Sequence, residues 1–191
     1  MRNGPLAIRN AASPQPRSAG WTLVELLVVV AVGGLLLATA VPAWGDWVAG
    51  AELANHAHRL ATSMTLARTE AMKRGQRVNL CRAADGRRCA GAGGWEAGWL
   101  VHVDADADAT NGDGERVLRT EPPAPAGIYV RANRPVESYV SFNALGQARL
   151  VNGGLQMGTL LVCRRGLPAH KVVLANSGRV RVEKTRDPCT G

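Results

Sequence analysis

The chain has 191 residues, with 23 Lys/Arg against 15 Asp/Glu for a formal charge of +8, and only 4% of it is aromatic. Once a leader and a long helix are set aside, about 116 residues remain, which is room for one small globular domain and excludes several. Its core has to be built from Val, Leu and Ala. Residues 1–20 hold Gly4, Pro5, Pro14 and Pro16, show no apolar period, and carry Arg2, Arg9 and Arg17 without an acid. They read as an unfolded basic leader. From Trp21 to Trp44 every residue is apolar or small except Thr22, Glu25 and Thr39. At about 1.5 Å per residue, a helix of that length crosses a hydrocarbon core of about 30 Å. Glu25 is costly inside such a span, which marks it as a functional residue.

The helix is predicted over residues 22–74, weakened near Pro42 and Gly45 and stopped by Gly75. Leu53, Leu60, Met64, Ala67 and Ala71 recur at helical spacing and form a stripe on which a sheet can pack. After Gly75, short β-like runs separated by Gly, Pro and Asn predict strands near 76–82, 99–103, 116–120, 128–131, 138–143, 158–164, 171–175 and 179–183. Gly91-Ala92-Gly93-Gly94 lacks the spacing of a nucleotide-binding loop and reads as a turn.

Four cysteines fit an oxidising compartment. Of the three possible pairings, Cys81–Cys89 across the Asp85-Gly86 turn with Cys163–Cys189 pinning the tail is favoured over a zinc site, because no close C-x₂₋₄-C pair occurs. Asp104, Asp106 and Asp108 alternate, and Glu115 falls at position twelve of that run, as in an EF-hand loop. Position six is Ala109, however, and the flanks read as strands, so the stretch is taken as a hairpin loop with no metal. Neither a cofactor nor catalysis is expected. His56 and His58 are two apart on a helix, His102 alternates with Val101 and Val103 and is expected at the surface, and His170 lies beside a basic strand. No G-x-S-x-G or H-E-x-x-H occurs.

Positive charge is gathered toward the end of the chain: residues 128–191 hold ten Lys/Arg against three acids, whereas residues 76–127 hold six Arg against eight acids. The turn Asn176-Ser177-Gly178 suits a short hairpin. Strand alternation then sends Arg179 and Arg181 to one face, about 6.6–6.8 Å apart, and Val180 and Val182 to the core. Two guanidiniums in line can meet successive phosphates without reading bases. Arg164, Arg165, Lys171, Lys184 and Arg186 are candidates to widen the patch, and Glu183, on the same face as Arg181, weakens it.

Gly20-Trp21-Thr22-Leu23-Val24-Glu25 followed by the apolar run resembles the class III signal of type IV pilins and pseudopilins. That resemblance implies cleavage by a prepilin peptidase between Gly20 and Trp21 and methylation of the new amino terminus. Trp21 stands where the family usually has Phe, another large aromatic. Glu25 would neutralise a neighbouring subunit's amino terminus during assembly. The later run of motifs narrows the resemblance to the GspH/FimT branch: Gly98-Trp99 with Val101, Val103 and Asp104; Gly114-Glu115 with Val117-Leu118-Arg119; Ser141-Phe142-Asn143 with Gly146; Gly158-Thr159-Leu160 with Cys163; and Val172-Val173 through Val182.

The fold this implies is α+β, a pilin fold in which a long N-terminal helix, membrane-spanning in its first half, packs on a C-terminal antiparallel β-rich domain. Residues 1–20 would be the cleaved leader, 21–48 the transmembrane and filament-core helix, and 49–191 the soluble domain. Leader arginines place the amino terminus in the cytoplasm and the C-terminal domain in the periplasm of a bacterial inner-membrane protein that later joins a pilus or pseudopilus. Gly178-Arg179-Val180-Arg181 is similar to the GRxR motif of FimT-type minor pilins, which implies non-specific DNA binding for uptake in natural transformation. The implied partners are DNA, other pilins or pseudopilins, the peptidase and the inner membrane. Two alternatives stay open: a GspH-like pseudopilin of a type II secretion system, and a purely structural pilus-assembly subunit.

Overall fold

A computed structural model describes residues 20–186; side chains of residues 41–43 are outside that description, and so are residues 1–19 and Cys189. Among the described residues one α-helix, α1 (Leu23–Arg74), comes first, and eight strands follow: β1 (Val78–Arg82), β2 (Trp99–Val103), β3 (Val117–Glu121), β4 (Ile128–Ala132), β5 (Tyr139–Phe142), β6 (Gly158–Arg164), β7 (His170–Leu174) and β8 (Val180–Lys184). The fold is α+β, as the sequence predicted.

Thr22 caps the start of the helix. Thr22 Oγ1 accepts the Glu25 amide at 3.2 Å, which satisfies one orphan donor and puts an acid in the positive first turn. The helix is long and apolar enough in its first part to cross a membrane, and the apolar side chains from Leu23 to Leu37 are almost all exposed. It runs unbroken through positions 42 and 45, where a weakening was expected, and ends where Gly75 takes φ +65°. The chain divides into two compact units, Met1–Trp44 and Gly45–Gly191.

Within the C-terminal unit, Leu53, Ala57, Leu60, Met64, Ala67 and Ala71 are buried, at spacings of four and three, so a single stripe of α1 enters the core. Trp99, Val101, Phe142, Leu160, Val162 and Val172 meet that stripe in one continuous cluster drawn from both sheets. Each buried Leu, Val or Met contributes about 1.5–3 kcal/mol. The strands form two four-stranded antiparallel sheets, ordered β3-β2-β1-β5 and β4-β6-β7-β8. Sequence neighbours pair in the second sheet except that β5 is skipped. It crosses back to lie beside β1, Val78 opposite Phe142.

His102 is a correction to the sequence reading. It is fully buried, because β2 is covered on both faces. One face meets the core around α1. On the other, the loop strapped by the Cys81–Cys89 disulfide packs against Leu100 and His102 of the strand. The His102 Nδ1 lies 3.1 Å from Glu115 Oε2, and its Nε2 is 3.7 Å from Cys89 Sγ. Alternation identified the face correctly but could not reveal that a loop covers it.

Candidate functional site

The β7–β8 hairpin turns at Asn176-Ser177-Gly178, where Gly178 N donates to Ala175 O at 2.9 Å and Ala175 N to Arg179 O at 2.9 Å. Gly178 has φ +80°, a conformation that costs an L side chain about 1–2 kcal/mol. It also packs against a second turn: a Cβ there would stand 1.9 Å from the Gly146 carbonyl oxygen. That same carbonyl accepts a 2.9 Å hydrogen bond from Arg68 Nε of α1, and Ala148 N donates to Asn176 O at 3.1 Å. Helix, β5–β6 connection and hairpin tip are therefore fastened at one point. Arg179 projects from that fixed point into solvent, and no described residue forms an ion pair with it. Nothing local to Arg68 singles it out, because its contact partner lies 78 residues away.

Pairing register then sorts the basic residues by face, since residues directly opposite each other share a side of the sheet. Arg131 opposes Leu161, Leu161 opposes Lys171, and Lys171 opposes Glu183. Val173 opposes Arg181 on that same side. The outer face thus gathers Arg181, Lys171 and Arg131, the last not anticipated, with Arg179 at its corner. Arg181 Nε binds Glu183 Oε1 in a close ion pair, so the expected weakening by Glu183 is a direct contact. Val180 and Val182 pack against the core, as alternation required.

Lys184 and Arg164 belong to the opposite side. His170 opposes Lys184, and both line a groove against Asp46–Ala54 of α1. Arg164 Nη1 lies 2.8 Å from Glu52 Oε2 on α1. Arg165 is exposed in the β6–β7 turn, and Arg186 is exposed beyond β8. The basic cluster read from the sequence is therefore two clusters, one at the hairpin tip and outer face, one at the base beside the helix.

Gly20 and Trp21 precede α1 and are exposed, and Glu25 is exposed in its first turn. Cys81 and Cys89 are bonded, with Asp85 Oδ1 accepting the Arg87 and Arg88 amides inside the loop. Those two backbone bonds hold the Asp85 carboxyl below its usual value. Cys163 is buried and disulfide-bonded; Cys189, the partner assigned to it from sequence, lies outside the described residues. Asp104, Asp106 and Asp108 bring carboxylate oxygens within 4.8 Å of one another. Glu115 does not join them as a twelfth-position ligand would. Its oxygens accept from Ala105 N at 2.7 Å and Gly112 N at 3.2 Å and contact His102. Burial pushes the Asp104 carboxyl up.

Two family models match: "Type II transport protein GspH" over residues 56–179 and the "Prokaryotic N-terminal methylation motif" over residues 15–41. The pilin-like protein PilA1 of Thermus thermophilus is 30% identical over 169 residues, covering 86% of this chain and 97% of that protein. The type IV major fimbrial protein FimA of Dichelobacter nodosus is 28% identical over 149 residues, or 73% of this chain and 85% of its own. Among solved structures, the type IV minor pilin FimU of Pseudomonas aeruginosa shares the fold at 21% identity with a TM-score of 0.54, over 69% of this chain and 88% of its own. With a family model running from the C-terminal part of α1 through β7, and the methylation motif ahead of it, this chain belongs to the GspH family of type IV pilin-like proteins.

Proposed function

We propose that the chain is cut after Gly20 by a prepilin peptidase, enters a type IV pilus as a minor pilin, and captures DNA without sequence preference for uptake. The observation that carries this reading is the clamped hairpin tip. Gly178 against Gly146 fixes where Arg179 points, and Arg181, Lys171 and Arg131 continue the positive face behind it. A rigid row of cations spaced along strands suits a phosphate backbone and carries no base readout. Arg179 leads, because Arg181 is shared with Glu183.

A second reading is favoured by one finding, the description of the matching family model as a type II transport protein. On that reading the chain is a minor pseudopilin, and its partners are other pseudopilins. Transformation frequency separates the two. In cells that carry Arg179→Ala/Arg181→Ala and still assemble pili, DNA uptake falls at least tenfold if the chain is a DNA-capturing pilin. Unchanged uptake, with loss of protein secretion when the whole gene is deleted, assigns the chain to secretion.

A further inference from the structure

We propose that the groove at the base of the C-terminal unit seats the phosphate of an anionic phospholipid headgroup from the bilayer that holds the apolar run. The groove has a volume of about 380 Å³, and all its lining residues lie in the Gly45–Gly191 unit. Ala51, Ala54, Leu167 and Pro168 make its floor apolar, while His170 and Lys184 stand on its sheet side. Register is what puts them there: His170 and Lys184 are cross-strand partners on the helix-facing side, away from Arg181. Lys184 is exposed, and so are Arg165, in the turn that leads to Leu167, and Arg186, two residues beyond Lys184. The adjoining Arg164 already neutralises Glu52, which leaves Asp46 as the acid on the groove.

The covalent chain fixes the depth. Gly50 lines the groove and is six residues beyond Trp44, where the apolar run ends. These residues are helical, and at about 1.5 Å per residue that is roughly 9 Å. The headgroup layer extends about 5–8 Å beyond the hydrocarbon on each side. A lysine stem of about 6 Å makes up the remaining distance. Trp47, 66% exposed on the groove, is the residue type that settles at the headgroup level, apolar ring inward and N–H toward water. Juxtamembrane cations attract anionic lipid, and the attraction fades within a Debye length. Arg179 sits at the far end of β8, about 17 Å from Lys184 along the strand, so the lipid groove and the DNA-facing tip do not compete.

This inference rests on the apolar run residing in a bilayer and is independent of DNA capture. The test uses the processed full chain in nanodiscs of phosphatidylcholine alone and of phosphatidylcholine mixed with phosphatidylglycerol. Incorporation into both is checked first by size and composition; a chain that enters neither overturns the membrane premise. Amide exchange is then followed by mass spectrometry over residues 165–171 and 182–186. Exchange there should be several-fold slower in the anionic discs, and Lys184→Glu should relieve that protection by roughly fivefold or more, about the factor one cation supplies. Lys184→Gln serves as a milder variant, and Arg179→Ala should change nothing. Equal exchange in the two kinds of disc overturns the proposal. Protection that survives Lys184→Glu also overturns it, and protection that appears only on adding DNA or a second pilin assigns the groove to that partner instead.

Discussion

At Gly178 a methyl group would meet the Gly146 carbonyl at 1.9 Å in a backbone conformation of φ +80°, so Gly178→Ala must push two turns apart. We expect a loss of about 2 kcal/mol in urea unfolding, together with weaker DNA binding by the molecules that remain folded. A neutral effect on both would mean that the two turns are not fastened. Glu183→Gln tests the opposite sense at the same site. It releases Arg181 from its ion pair, and DNA affinity at low salt should rise several-fold. His56 offers a pH test. Its ring is buried edge-on to Trp99 with centroids 5.2 Å apart, and burial, aided by the Arg59 guanidinium, pushes its pKa down to about 4. The unfolded chain takes up that proton near pH 6.5 and the folded one does not. Stability is therefore complete above pH 6.5 and is lost as pH falls toward 4, by up to about tenfold in the unfolding constant per unit. Asp104, whose carboxyl is raised by burial, acts in the other direction as pH falls toward its ordinary value of 3.8, because the folded chain takes up that proton first. The difference between the native chain and His56→Leu isolates the histidine; identical pH slopes would contradict the assignment.

Among the elements, β1, β2 and the loop between them depend on the Cys81–Cys89 bond, which closes a sequence separation of 8. Chain entropy assigns such a loop about 2.5 kcal/mol, and Cys81→Ser/Cys89→Ser should lose about that much in thermal or urea unfolding. Because Cys89 N donates to Asn111 Oδ1 at 2.7 Å and Asn111 Nδ2 to Arg87 O at 2.6 Å, the loss should spread into residues 104–115 and open His102 to solvent. Exchange of the β2 amides reads this; unchanged protection there would place the cover elsewhere. The α1 stripe and the places of all eight strands were legible in the sequence because each depends on local period and on Gly or Pro punctuation. Pairing between distant segments was not. Nothing in Tyr139–Phe142 says that it returns to β1 while its neighbours build the second sheet. The burial of His102 was hidden for the same reason, since its cover is a loop that precedes it in sequence.

Across the whole molecule, charge is segregated in two directions that one count merges. Residues 128–191 are strongly basic, yet β8 sends Arg181 outward and Lys184 toward the helix, and Arg164 pairs with Glu52. Strand alternation after Gly178 put Arg179 and Arg181 on one face, and both are exposed. It could not separate tip from base, because parity along β6 and β7 is set by registers invisible in the linear chain. The proposed function has the tip and outer face hold DNA through its phosphates. The most direct measurement is fluorescence anisotropy of labelled duplex DNA with the processed chain across a salt series. The native chain should bind at low salt with log K falling by about 0.9 per phosphate contact, and Arg179→Ala/Arg181→Ala should weaken binding and flatten that slope by roughly two contacts. Lys184→Gln should leave both unchanged. Absence of binding at low salt, or a slope that the double substitution does not alter, would contradict the account.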